Sequence, residues 1–296
     1  MTILKSTVAI SSVEWIRSLS EEECSSADSV ADDLELYLKN KNISFYLHDI
    51  KTSKGLSEAL NQILARAKCG DRPIIHFDSH GKENDGIQIA ATGQLVPWDE
   101  IDIALGRINV ETKNNLCVVS FACYSFDLIR PISITEPTPF YLLLAPEKKL
   151  TNGDIADHTM PFYRHIFEDK DILEAYKENF ETWMRMMHSE QLLFMSLAGY
   201  IRAFCMGKGR EQRIEDLITA ANTNGKLSNR HGLRAARRIA RGATKPTALD
   251  FNKYVNRFLM GRPVSYTRDD VIRYAKDMED PYESGVRSRP RVLDNL

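Results

Sequence analysis

The chain reads as an α/β protein: a mostly parallel sheet flanked by helices over residues 1–180, followed by an α-helical C-terminal region over 181–296. Three observations predict this. Apolar runs and helical periods alternate as β-α-β-α-β up to Asp78, the order that builds a parallel sheet covered by helices. Two runs, Pro73–Asp78 and Leu116–Ala122, are almost continuously apolar, as strands buried on both faces are. After Phe180 no strand run of comparable strength follows.

Taken in order, Thr7–Glu14 predicts the first strand, and the acidic Glu21–Glu23 leads into a helix over Ala27–Lys39 with Val30, Leu34, Leu36 and Leu38 as its apolar face. Ile43–His48 is the second strand and Leu56–Ala67 the second helix. The third strand, Ile74–Asp78, runs on into His80-Gly81. A polar turn cluster then leads to a hairpin arm at Ile87–Ala90. Pro97 and Trp98 open a helix carrying Ile101, Ile103, Leu105 and Ile108, since proline suits a first helical turn. The strand ending at Cys123 comes next, then Phe140–Leu144, then a helical period from Ile155. Helices are expected over 192–206, 214–221, 249–260 and 269–278, with a polar tail from Pro281.

Composition narrows the function classes. With 43% hydrophobic and 27% charged residues in 296, the chain is neither fibrous nor compositionally disordered. Its start lacks the apolar core of a signal peptide, and no segment reaches the ~18 apolar residues of a membrane span. A cytoplasmic protein without membrane contact is expected. Five scattered cysteines without CxxC spacing point to reduced thiols, and argue against a disulfide framework or zinc ribbon. Residues 1–150 carry 15 basic against 21 acidic side chains, and 151–296 carry 24 against 20, which suggests two functional parts.

Two strands place chemistry at one edge of the sheet. Pro73-Ile-Ile-His-Phe-Asp-Ser-His80-Gly81 ends in an imidazole, and Leu116-Cys-Val-Val-Ser-Phe-Ala-Cys123-Tyr-Ser ends in a thiol 43 residues later. Ligands of open α/β sheets bind at the carboxyl ends of the strands. A thiol, an imidazole to take and return its proton, and backbone donors for an oxyanion form the constellation of nucleophilic acyl transfer. His80 is the candidate base, Cys123 the candidate nucleophile, and Gly81, lacking a Cβ, lets its backbone approach a substrate. Asp78 shares the parity of His80 and is a candidate to orient the ring; His76 shares it too and reads as a structural residue beneath. Cys117 lies mid-strand and belongs to the core. Zinc on His76, His80, Cys117 and Cys123 would need ligands through the sheet, so no metal site is assigned. Asp127, Glu147 and Asp154, on loops after later strands, are candidates for lining a substrate pocket, where acids would suit a lysine or arginine.

An apolar strand ending in His-Gly followed by one ending in Ala-Cys resembles the signature of the caspase-like (clan CD) cysteine peptidases. The string His76-Phe-Asp-Ser-His-Gly81 is particularly similar to their CHAT branch, whose members often read His-Phe-x-Gly/Ser-His-Gly. The resemblance covers about the first 60% of the chain and implies a caspase-like sheet, a Cys123–His80 dyad, Gly81 and Cys123 backbone N–H groups as oxyanion donors, and no cofactor. It implies a regulated endopeptidase acting on a partner protein, coupled to a sensor protein and to bacterial antiviral defence. The competing reading is a catalytically inactive caspase-like adaptor, regulated by nucleic acid. Phe121-Ala-Cys-Tyr-Ser125 departs from the Gln-Ala-Cys-x-Gly of caspases proper, and their Asp-binding arginine pair has no counterpart that can be placed.

The helical region carries a basic stripe. Arg230, Arg234, Arg237, Arg238 and Arg241 fall at i, i+4, i+7, i+8 and i+11, one face of a helix. An acidic partner or nucleic acid would fit such a face. A solvated face balanced by Glu211, Glu215 and Asp216 is the preferred expectation, because no aromatics interleave and the pI is 6.4.

Overall fold

The computed structural model describes residues 8–222 and 230–279. The chain divides into two compact units, Met1–Ile132 with Pro137–Ser189, and Ser133–Glu136 with Glu190–Leu296. The first unit therefore runs past the expected boundary at 180, because a further strand follows there.

In the first unit β1 (Ser12–Ser18), α1 (Glu21–Lys39), β2 (Ser44–Asp49), α2 (Ser53–Lys68) and β3 (Pro73–Lys82) lead into a short arm, β4 (Gly86–Gln88) and β5 (Leu95–Val96). Then come α3 (Trp98–Glu111), β6 (Cys117–Ser120), a 3₁₀ turn (Ser125–Ile129), β7 (Leu142–Ala145), α4 (Asn152–Asp169), α5 (Ile172–Asn179) and β8 (Arg185–His188). The sheet order is β2-β1-β3-β6-β7-β8, with β4 and β5 hanging from the end of β3. The first five strands are parallel and β8 is antiparallel to β7. This is the α/β architecture with a mostly parallel sheet that the alternation predicts.

Two strands correct the expectation. The first begins at Ser12 and extends beyond Glu14, and Thr7 lies outside the described residues. Glu14 and Arg17 look like strand-ending residues but are buried and paired: Glu14 with Arg66 and His48, Arg17 with Asp49 and Asp28. β8 was not expected at all. Arg-Met-Met-His has no β-branched residue and lies at the sheet edge, so neither propensity nor alternation marks it.

Alternation along each strand sorts its residues between the two faces. Val13, Trp15, Ile74, Val119, Phe121, Leu142 and Leu144 pack with Leu34 and Leu38 of α1, Phe162, Tyr163 and Ile166 of α4, and α5. Cys117 is in the same core. Ile16, Ile75, Phe77, Val118 and Leu143 alternate to the other side and are all buried; α2 and α3, which pack on each other, contribute Leu60, Ile63, Ile101 and Leu105 to the buried set. Each such side chain stabilises the fold by roughly 1.5–3 kcal/mol.

The second unit is helical: α6 (Ser189–Phe204, whose first residue belongs to the first unit), α7 (Gly207–Asn222), α8 (Arg230–Ala243), α9 (Phe251–Phe258) and α10 (Arg268–Asp277). Leu193, Leu197, Ile201, Phe258 and Val271 are fully buried, and Phe194 meets Tyr266 edge to face at 4.9 Å. No helix among the described residues is long and apolar enough to cross a membrane.

Candidate active site

The register of the sheet brings the two chemical segments together. β3 and β6 are parallel neighbours with His76 opposite Val119 and Phe77 opposite Ser120, and Phe121 N–H continues the ladder to the Phe77 carbonyl at 2.8 Å. Both chains therefore leave the sheet at the same edge. β6 itself stops at Ser120, so Cys123 does not end a strand as expected but sits in the tight turn just past it. Ser125 N–H closes that turn on the Ala122 carbonyl at 3.1 Å. Tyr124 takes the left-handed conformation, φ 61°, that a glycine would adopt more cheaply, so the turn carries some backbone strain beside the thiol.

Gly81 explains why His-Gly must face this turn. A Cβ on Gly81 would lie 2.0 Å from the Cys123 carbonyl oxygen, so only glycine permits the two backbones to touch. His80 and Cys123 accordingly line one cleft of about 130 Å³, with Trp15, Glu23, Val30, Asp78, Ser79, Phe121, Leu150 and Ile155 among its walls. Cys123 is partly exposed, and its Sγ accepts the Leu150 N–H at 3.4 Å. Its own N–H has no acceptor among the described residues and is free to meet an oxyanion.

The residue on the imidazole is Glu23, which in sequence is one of three consecutive acids leading into α1. His80 Nε2 lies 3.1 Å from Glu23 Oε2. A carboxylate accepts, so Nε2 carries a proton. Glu23 is held from behind: Ser20 caps α1 and gives Glu23 Oε2 both its N–H, at 3.0 Å, and its hydroxyl, at 2.7 Å. Burial works against the charge on Glu23, but the two Ser20 bonds and the His80 ring outweigh it and hold the carboxyl below its ordinary range. The Ser20-Glu21-Glu22-Glu23 capping box was the available signal, because the helix after β1 starts at the same sheet edge.

Asp78 is not the partner of His80. Two residues back along the strand it is only 5% exposed, and burial pushes its carboxyl up to about 6; the Trp15 indole and Arg17 offset part of the penalty without supplying a close hydrogen bond. It remains in the cleft wall. His76 is sealed beneath, stacked on Trp15 at 3.9 Å with Nδ1 2.8 Å from the Tyr163 hydroxyl, and burial lowers it to about 3, so the ring is neutral.

Asp127 and Glu147 do not line this cleft. Asp127 accepts the Asn84 N–H at 3.0 Å and pairs with Arg130 at 3.0 Å, so it fastens the turn after β3. Glu147 pairs with Arg185 on the surface at 2.8 Å. The Asp154 side chain lies outside the described residues. Among the described residues no three His, Cys, Asp or Glu side chains gather in a way that would hold a metal ion.

On α8, Arg230, Arg234, Arg237, Arg238 and Arg241 are all exposed. Among the described residues only Arg237 meets one of the acids expected to balance the stripe, Glu215 at 3.2 Å. Asp216 bonds Gln212 instead.

Compared with protein-family models and with curated proteins, the chain matches none.

Proposed function

We propose that the first unit is a cysteine endopeptidase with Cys123 as nucleophile and His80 as base. The observation that carries this reading is the contact of Gly81 with the Cys123 backbone, which forces an imidazole and a half-exposed thiol into one solvent-reachable cleft. Cys123 Sγ attacks the peptide carbonyl carbon while its proton passes to His80 Nδ1. The carbonyl oxygen becomes an oxyanion held by the Cys123 and Gly81 N–H groups. Collapse breaks the C–N bond, and His80 returns the proton to the departing amine. Water, deprotonated by the same ring, then hydrolyses the thioester and restores the thiol. Glu23 fixes the tautomer that leaves Nδ1 basic, as the carboxylate of a triad does.

The cleft also suggests the substrate. Trp15, Val30, Phe121 and Ile155 offer an apolar slot with Asp78 in its wall, which suits a side chain with a long stem and a cationic tip. The substrate is a protein, no cofactor is needed, and five free thiols suit a reducing compartment such as the cytoplasm.

An acyloxymethyl ketone probe carrying lysine or arginine tests the reading. Covalent labelling of the full chain, lost in Cys123→Ala, is expected, with an aspartyl probe reacting more slowly. A folded protein that resists every such probe would instead support the inactive adaptor. New protein N-termini generated by the wild type but not by Cys123→Ala would then identify the substrate.

A further inference from the structure

We propose that α8 docks on the phosphate backbone of duplex DNA without reading its sequence. This does not depend on the peptidase reading, since it rests on the second unit alone.

From Leu217 to Leu249 the chain has seven basic residues, Lys226, Arg230, Arg234, Arg237, Arg238, Arg241 and Lys245, and no acidic one. Lys226 lies outside the described residues. The five arginines are all on α8, and at 3.6 residues per turn they fall within an arc of about 100° along about 16 Å of helix. A solvated face would have its charge answered by neighbours. Here Glu215 reaches Arg237, while Arg230, Arg234 and Arg238 have no acidic partner among the described residues. At one end of the stripe Lys208 and Arg210 of α7 surround a depression with Arg241, and Arg210 donates to the Arg241 carbonyl at 2.8 Å. Glu211 and Glu215 are on its rim, so the basic track is local rather than a property of the whole unit.

The chemistry selects the partner. Every charge on the stripe is a guanidinium, the fork that meets phosphate oxygens two at a time. Five of them over about 16 Å match the roughly five phosphates that one DNA strand presents along that length at 3.4 Å each. No aromatic residue occurs between Leu217 and Leu249, so the stacking platform for single strands is missing. Of the side chains on α8 only Ala240 is buried, and such an open helix fits the roughly 12 Å major groove of B-form DNA, whereas that of A-form RNA is too narrow. Away from the arginines the helix carries alanines and glycines with Leu233 and Ile239, two large apolar side chains and too little to anchor in a membrane.

The test is equilibrium binding of the full chain to two unrelated duplexes, read by fluorescence anisotropy between about 50 and 200 mM salt. Both duplexes are expected to bind alike, with log K falling against log salt at a slope of about −4 to −5 for five phosphate contacts. The triple variant Arg230→Gln, Arg234→Gln, Arg238→Gln removes charges that have no acidic partner, so its circular dichroism and unfolding midpoint stay at wild-type values. Its slope is expected to drop by about 3 and its affinity at least tenfold, and the matching triple lysine variant to restore the slope. The proposal is overturned if the glutamine variant binds like the wild type or if no duplex binds at low salt. It is equally overturned if single strands, duplex RNA, an acidic peptide or phosphatidylserine vesicles bind more tightly than duplex DNA.

Discussion

The interior of the sheet and the cleft at its open edge treat buried charge in opposite ways. On β1, Glu14 is fully buried, but Arg66 forks onto its two oxygens at 2.7 and 2.6 Å and His48 adds a contact at 2.8 Å. On the next strand Asp78 is nearly as buried and has no such fork, because Arg17 is drawn away by Asp28 and Asp49. Glu14 is a structural charge, neutralised where it stands. Asp78, Glu23 and His80 line one cleft, and its two acids are pushed in opposite directions, Asp78 upward by burial and Glu23 downward by Ser20 and His80.

The contrast breaks most visibly at Arg66. Arg66→Met strands the Glu14 carboxylate in the core and is expected to lower stability by about 3–5 kcal/mol in denaturant unfolding. An unchanged midpoint would mean that Glu14 needs no counter-charge.

At Asp78 the sign reverses. The folded state binds the Asp78 proton more tightly than the unfolded chain, about 6 against 3.8, so stability falls as pH rises through that window and stays lower above it. Asp78→Asn removes this penalty and is expected to raise stability by about 3 kcal/mol at pH 7, with little gain at pH 4. Unfolding curves at the two pH values check it, and equal gains at both would show that the carboxyl does not titrate there.

The smallest stability effect is expected at Glu23, which is partly exposed. Glu23→Gln should move stability by no more than about 1 kcal/mol, yet slow probe labelling of Cys123 about tenfold as control of the His80 tautomer weakens. A labelling rate that follows stability alone would reduce Glu23 to a helix cap.

Much of the fold was legible because its signals are local. The apolar runs at Pro73 and Leu116, the helical periods and the His-Gly and Ala-Cys ends needed no long-range knowledge. What escaped depends on partners distant in sequence. Glu14 and Arg17 look solvent-loving until Arg66, Asp28 and Asp49 answer them, which displaced the expected end of β1. β8 exists because β7 offers it a free edge rather than because Arg-Met-Met-His favours a strand. Parity chose Asp78 as the partner of His80 because it sees only one strand; the carboxylate that meets the ring comes from a helix 57 residues away in sequence. Asp127 and Glu147 sit on the expected loops, but Arg130 and Arg185 hold them.

The interleaved path of the chain has a consequence for biogenesis. Ser133–Glu136 belongs to the second unit although it is spelled out inside the first, and Glu136 is bonded there to Arg257 at 2.9 Å. A nascent chain thus emits a fragment of its later half before its earlier half is complete, and that fragment waits for its partner to leave the ribosome. Halting translation after Ser189 would release the first unit carrying four residues that have lost their partners, Glu136 among them without Arg257.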